Sequence, residues 1–216
     1  METDFIYWRH PTPAGIKVEE VCGGEDRQGK VWMEMARQVY CENGKEGFRE
    51  IGHFANGAPF LAYSDERISI THTSHFFAVA TLRPAPGVDL RVFNPATALG
   101  IDAEAANRAQ VLKIRERFLS SGELQIIPAD DVEQNILAWT IKEAIYKASL
   151  TEGLDFRKDI RILSLPRIDE ISDFRKSDEN FGKGEFSSPD GTRYILSLYS
   201  YRSEGNIITL AFSATT

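Results

Sequence analysis

The chain has 216 residues, 42% of them hydrophobic and 26% charged, with a net charge of −7. That is the scale of one large globular domain or two small ones, and the acidic balance argues against a protein that coats nucleic acid. No apolar run is long enough to cross a bilayer, and the start METDFIYWRHPTPAG lacks the basic-then-apolar pattern of a secretory signal, so a cytoplasmic location is expected.

In chain order, the first helical signal is Lys30 to Tyr40, where Val31, Met35 and Val39 line one face. Arg67 to His72 alternates polar and apolar residues as a half-buried strand does; a turn at Thr73-Ser74 and the apolar run Phe76 to Ala80 complete a β-hairpin. Ala98 to Glu104 reads as a strand with Leu99, Ile101 and Ala103 turned to the core and Asp102 and Glu104 together on the other face. Val111, Ile114, Arg115 and Phe118 recur at helical spacing. Ser120 and Glu123 have the S-x-x-E spacing of a capping box, which predicts a short helix from Ser121. Asp130 and Glu133 open a long helix from about Asp131 to about Leu150, with Gly153 as its terminator. Tyr194 to Tyr199, a turn at Ser203 to Asn206, and Ile207 to Phe212 form a second hairpin. Helical pattern precedes each hairpin. The expected fold class is therefore α+β, with two similar α/β halves at 1–90 and 91–216, each carrying helices on a small antiparallel sheet.

Cys22 and Cys41 form no CxxC and are expected as reduced thiols. None of the histidines, His10, His53, His72 and His75, stands at ligand spacing to a cysteine, which speaks against a zinc site. Four other segments offer chemistry. Asp102 and Glu104, side by side on a strand, repel unless a cation or strong donors sit between them. Hard oxygens on a rigid strand suit Mg²⁺; equally, one of them caps a helix and the other is solvated. On the long helix Trp139, Glu143 and Lys147 share a face, able to hold a metal–phosphate unit or to form an ordinary surface pair. Glu123 is explained by the capping box. His72, at a strand end, either donates to a phosphate or is a half-buried polar residue.

Taken in order, these segments resemble the 4′-phosphopantetheinyl transferase superfamily. Gly100-Ile101-Asp102-Ala103-Glu104 is similar to that family's G-[IV]-D-x-E strand, and Trp139-Thr140-Ile141-Lys142-Glu143-Ala144-Ile145-Tyr146-Lys147 to its W-[ST]-x-K-E-[AS]-x-x-K helix. Arg117-Phe118-Leu119-Ser120-Ser121-Gly122-Glu123 matches the R-F-[FL]-S-x-x-E stretch between them, and Ser69-Ile70-Thr71-His72-Thr73 the histidine strand upstream. The resemblance runs from about Gly57 to Leu150, and the length resembles the surfactin-type branch, single chains that are pseudo-dimers. A monomer is expected on that basis.

The resemblance implies Mg²⁺ held by Asp102, Glu104 and Glu143, and Lys147 on the pyrophosphate of coenzyme A. It also implies His72 and Thr71 on coenzyme A phosphates, and Glu123 or Glu143 as base on the serine of an acyl, peptidyl or aryl carrier protein. Two positions depart from the pattern. Ala58, in Gly57-Ala58-Pro59, stands where the family has a lysine that touches coenzyme A, and Arg27 is matched to the family's first-half arginine by spacing alone. Carriers of this kind are acidic, so Lys113 and Arg117, one turn apart, with Arg115 close by, form a candidate dock; a solvated charged face is the other reading. A non-catalytic relative that binds a carrier or coenzyme A, and an unrelated metal-dependent phosphodiester hydrolase, are the alternatives in function.

Overall fold

The structure is a computed structural model that describes residues 6–11, 16–22, 51–62, 64–84, 86–170 and 181–213. The helix expected from Lys30 to Tyr40, Arg27 and Cys41 lie outside the described residues; Cys22 is a free thiol. Among the described residues no helix is long and apolar enough to cross a membrane.

The architecture is mixed α/β with two antiparallel sheets and a few helices. The first sheet contains β1 (Ile6–Pro11), β2 (Lys17–Cys22), β3 (Ile51–His53), β4 (Pro59–Leu61), β5 (Arg67–His72) and β6 (Phe76–Leu82), in the order β1-β2-β6-β5-β4-β3. The second contains β7 (Leu99–Ala105), β8 (Ile160–Ser164), β9 (Ile168–Glu170), β10 (Gly182–Ser187), β11 (Arg193–Ser203) and β12 (Asn206–Ser213). Its order is β7-β12-β11-β10-β8, with β9 running parallel to the far end of β11. Three α-helices are described, α1 (Val111–Phe118), α2 (Ser121–Ile126) and α3 (Val132–Ser149), besides a 3-10 turn at Pro95–Thr97.

Both expected hairpins form. In the first, Arg67 pairs with Leu82 and His72 with Phe77. In the second, Ser203 pairs with Asn206, so Glu204 and Gly205 alone make the turn, at φ 47° and 74°. Two consecutive left-handed residues match the twist of the flanking strands. Asp131, rather than the expected Asp130, caps α3 by accepting from the Gln134 amide, and Glu133 lies in the first turn as expected. The helix ends earlier than Gly153, because Leu150 itself takes the left-handed C-terminal position at φ 54°. The Asn56 side chain holds it there by donating to Leu150 O at 3.1 Å.

One apolar cluster fills the space between the sheets: Val18, Phe76, Ala78 and Ala80 meet Leu99, Ile101, Ala103 and Leu210. A second lies between α3 and the opposite face of the second sheet, with Ile141, Ala144, Ile145, Phe186 and Leu198. β7 is therefore covered on both faces, and the face that carries Asp102 looks at α3 rather than at solvent. β5 departs from the expected half-buried alternation for a related reason. Its polar residues Ser69 and Thr71 are buried against the free edge of β7. Ser69 Oγ accepts from Ile101 N and Thr71 Oγ1 from Ala103 N, both at 3.0 Å. Two hydroxyls thus satisfy edge amides that would otherwise be orphaned. Glu20, fully buried on β2, accepts from Tyr201 and from Ser203 on β11 and ties the sheets together at a second place.

Candidate active site

The site is set by how close α3 comes to β7. A Cβ on Gly100 would lie 2.0 Å from Ala144 O and 2.7 Å from Ala148 N, so only glycine permits the contact. With the helix backbone seated there, the next position of the strand on that face, Asp102, meets Lys147. Lys147 Nζ donates to Asp102 Oδ1 at 2.7 Å, to Ile101 O at 3.0 Å and to Ile70 O at 3.3 Å. Thr71 Oγ1 donates to the same carboxylate oxygen at 3.3 Å. Glu104 forms an ion pair with Arg108 in the turn after β7.

Glu143, one helical turn before Lys147, completes the group. Burial, then the charges of Asp102 and Glu104, push its carboxyl up to about 7 against the pull of Lys147. Burial also raises the Asp102 carboxyl, opposed by Lys147 and Thr71 and reinforced by Glu104. These are the marks of acidic groups desolvated and crowded in one place.

The structure thus brings Asp102, Glu104, Glu143 and Lys147 together and adds Thr71, whose hydroxyl faces Asp102 and the β7 backbone instead of reaching outward beside His72. His72 is exposed at the end of β5, where it and Lys147 line a cavity of about 290 Å³. Ala58 lines the same cavity without a charge.

Three expected residues go elsewhere. Trp139 does not join Glu143 and Lys147 at the site; its ring packs against Phe118 and Phe156 at centroid distances of 5.0 and 6.0 Å. Arg115 is fastened by Nε to Asn135 Oδ1 at 2.9 Å and by Nη2 to Ile127 O at 2.6 Å, joining α1 to the first turn of α3 and to the segment before it, while Lys113 and Arg117 are exposed. Glu123 completes the predicted capping box, accepting from Ser120 N at 2.7 Å, and also accepts from Ile162 N and from Lys142 Nζ, each at 2.8 Å. Lys142 is the residue that sequence reasoning passed over: it is 0% exposed and also donates to Phe156 O and Ile160 O. Burial lowers its ammonium, with Glu123 opposing. The available signal was its place between Ala138 and Ile145, both on the buried side of α3.

Among the described residues no three His, Cys, Asp or Glu side chains are gathered as a ready-made metal cage. The donor set nonetheless fits a hard divalent cation. Asp102 and Glu143 are acids held up by burial and then by neighbouring carboxylates, Glu104 for the first and Asp102 and Glu104 for the second, which a cation relieves, and Mg²⁺ needs only one or two carboxylates when phosphate oxygens supply the rest.

A β-strand and a helix, distant in sequence, thus converge carboxylates and an ammonium beside a cavity. Residues 98–198 match the model of the 4′-phosphopantetheinyl transferase superfamily. That stretch runs from β7 into β11 and contains Asp102, Glu104, Glu123, Glu143 and Lys147; it begins after the His72 strand. No match is found among curated proteins.

Proposed function

We propose that the protein transfers the 4′-phosphopantetheine arm of coenzyme A to a serine of an acyl, peptidyl or aryl carrier protein, in a magnesium-dependent reaction that releases adenosine 3′,5′-bisphosphate. The observation that carries this reading is the convergence of Asp102 and Glu104 on β7 with Glu143 and Lys147 on α3, inside the matched stretch.

Asp102, Glu104 and Glu143 are the residues that would hold Mg²⁺, which when bound supplies neutralising charge to the diphosphate oxygens. Lys147 adds a positive charge between that cluster and the cavity and orients Asp102 through their ion pair. The serine oxygen forms a bond to the β-phosphorus, and the bond from that phosphorus to the bisphosphate oxygen breaks. The serine proton passes to Glu143, whose carboxylate faces the same group; Glu123 is passed over because its oxygens already serve Ser120, Ile162 and Lys142. Work of this kind is mostly positioning and charge stabilisation. Two sheets, each built around a hairpin, support the reading of two similar halves, 1–90 and 91–216, in one surfactin-type monomer. Lys113 and Arg117 are the exposed pair on α1 offered to an acidic carrier.

The test is incubation with coenzyme A, Mg²⁺ and a panel of apo carrier proteins, read by intact mass. A carrier gaining the arm is expected, and Asp102→Ala is expected to slow the gain by on the order of 10²-fold or more while thermal melting still shows a folded protein. No mass gain on any carrier, or undiminished transfer by Asp102→Ala, overturns the reading. Binding of a carrier or coenzyme A without transfer marks instead the non-catalytic relative.

A further inference from the structure

Resting on that reading, we propose that Arg108 is a positioning residue for the acidic cluster: it holds the Glu104 carboxylate as an internal counter-ion, and a divalent cation must displace it to recruit Glu104 beside Asp102 and Glu143. Arg108 lies in the turn that follows β7, outside the four motifs that carry the family resemblance. The chain doubles back there, with Arg108 N donating to Ala105 O at 3.1 Å and Ala109 N to Asn107 O at 2.8 Å. That turn brings Arg108 over the last acidic residue of the strand, and its Nη1 pairs with Glu104 Oε2.

The three acids are not engaged alike. Glu104 has both oxygens taken, Oε2 by Arg108 and Oε1 by the Ala105 amide at 3.1 Å. Asp102 uses only Oδ1, for Thr71 and Lys147. Among the described residues nothing bonds to its other oxygen or to the Glu143 carboxylate. Glu104 still belongs to the cluster, because its charge helps to raise both Asp102 and Glu143. A carboxylate close enough to be felt by two others, yet turned to a cation of its own, is what keeps the described acids from closing into a cage.

The pair is weak enough to open. The Arg108 side chain is 48% exposed and that of Glu104 13%, and an ion pair with one partner in water contributes little. A divalent cation brings twice the charge to the same oxygen and prefers hard carboxylate ligands. Asp102 and Glu143 therefore offer oxygens at once, whereas Glu104 is recruited only at the expense of the ion pair. The cation alone binds less tightly than three uncommitted carboxylates would allow. Tight binding is reserved for the state in which diphosphate oxygens complete the coordination.

The test is Mn²⁺ binding to the full chain without co-substrate, read as loss of the free-ion electron paramagnetic resonance signal. Arg108→Gln is expected to tighten binding about 5-fold, with a melting temperature close to native. Arg108→Lys keeps the charge and loses the planar fork, and is expected to fall between the two. The gain must pass through Glu104: in a Glu104→Gln background, Arg108→Gln is expected to change the affinity by less than about 2-fold. Unchanged affinity in Arg108→Gln overturns the proposal, as does the absence of binding by both the native protein and that variant. The same gain with and without Glu104 also overturns it, since only the field of one charge is then at work. If Glu104→Gln does not fold, Arg108→Lys decides, and an affinity equal to native overturns the proposal. The outcome is separable from that of the transfer assay. Magnesium-dependent transfer with no effect of Arg108 removes the counter-ion role and leaves the transferase; a Glu104-dependent gain without transfer to any carrier leaves the cation site and removes the transferase.

Discussion

Glu123 and Glu143 both stand in motifs that offer them as proton acceptors, and their surroundings separate them. Glu123 accepts from three donors, Ser120 N, Ile162 N and Lys142 Nζ, and so anchors α2, β8 and α3 to one another. An amide at this place would turn its NH₂ group against those donors and leave the Lys142 charge buried and unpaired. Glu123→Gln is therefore expected to destabilise the fold by about 3–5 kcal/mol, measured by denaturant unfolding. The transfer rate per folded molecule is expected to stay within a few-fold of the native rate. A rate lost by on the order of 10²-fold or more, in a variant that remains folded, would return Glu123 to the chemistry. The capping box was legible because its spacing is local. The Lys142 pair was not, because lysine in a helix reads as solvated, and only the tertiary packing shows that both ends of this one are enclosed.

At the scale of elements, the site depends on α3 touching β7, and Gly100 is the contact. Gly100→Ala would press a methyl into the Ala144 carbonyl, a separation of 2.0 Å that rigid backbone on both sides cannot relax cheaply. Overpacking of this kind costs about 1–3 kcal/mol or more. Because the displaced helix carries Glu143 and Lys147, transfer is expected to fall together with the melting temperature; unchanged values of both would show that the two elements are not locked. Helix α1 makes a different prediction. With Arg115 committed to Asn135 and Ile127, the exposed charge of α1 reduces to Lys113 and Arg117 beside Glu116. Reversing both to glutamate is expected to raise the carrier KM by roughly 10-fold at low salt, with the difference shrinking as ionic strength rises; an unchanged KM would move the dock elsewhere. Elements with a clear local signal were readable from the chain: β7 by its alternation, α1 by its helical spacing and α3 by its acidic start. Other features were not. β10, with Gly182, Lys183 and Gly184 at its start, shows no alternation. The polar positions of β5 pointed to solvent by pattern, yet they face another strand edge that only the assembled fold supplies.

At the scale of the whole molecule, polar contacts between described residues join the two sheets at places well apart, in addition to the apolar cluster between them. At one, Ser69 and Thr71 satisfy the Ile101 and Ala103 amides; at the other, buried Glu20 accepts from Tyr201 and Ser203. Burial and the Glu20 charge hold the Tyr201 phenol well above its usual range, so it stays the donor. Tyr201→Phe leaves a buried carboxylate with one donor fewer, and Ser69→Ala leaves the Ile101 amide unpaired; each is expected to lower stability by about 1–3 kcal/mol. Tyr201 is two strands away from β7, through Ile208 and Ala103, and Ser69 lies beyond β7, so strand spacing puts the two pins roughly 14 Å apart. Independent pins at that distance should add within about 0.5 kcal/mol. The two variants should differ in function, however. Ser69 adjoins the seam where Lys147 bonds both Ile70 and Ile101, so Ser69→Ala should also slow transfer, whereas Tyr201→Phe should change stability alone. Denaturation of the single and double variants, with transfer rates on the same preparations, measures both expectations. A strongly non-additive double variant would mean that the sheets move as one unit about a shared seam, and the position of Asp102 against Lys147 would then depend on both pins.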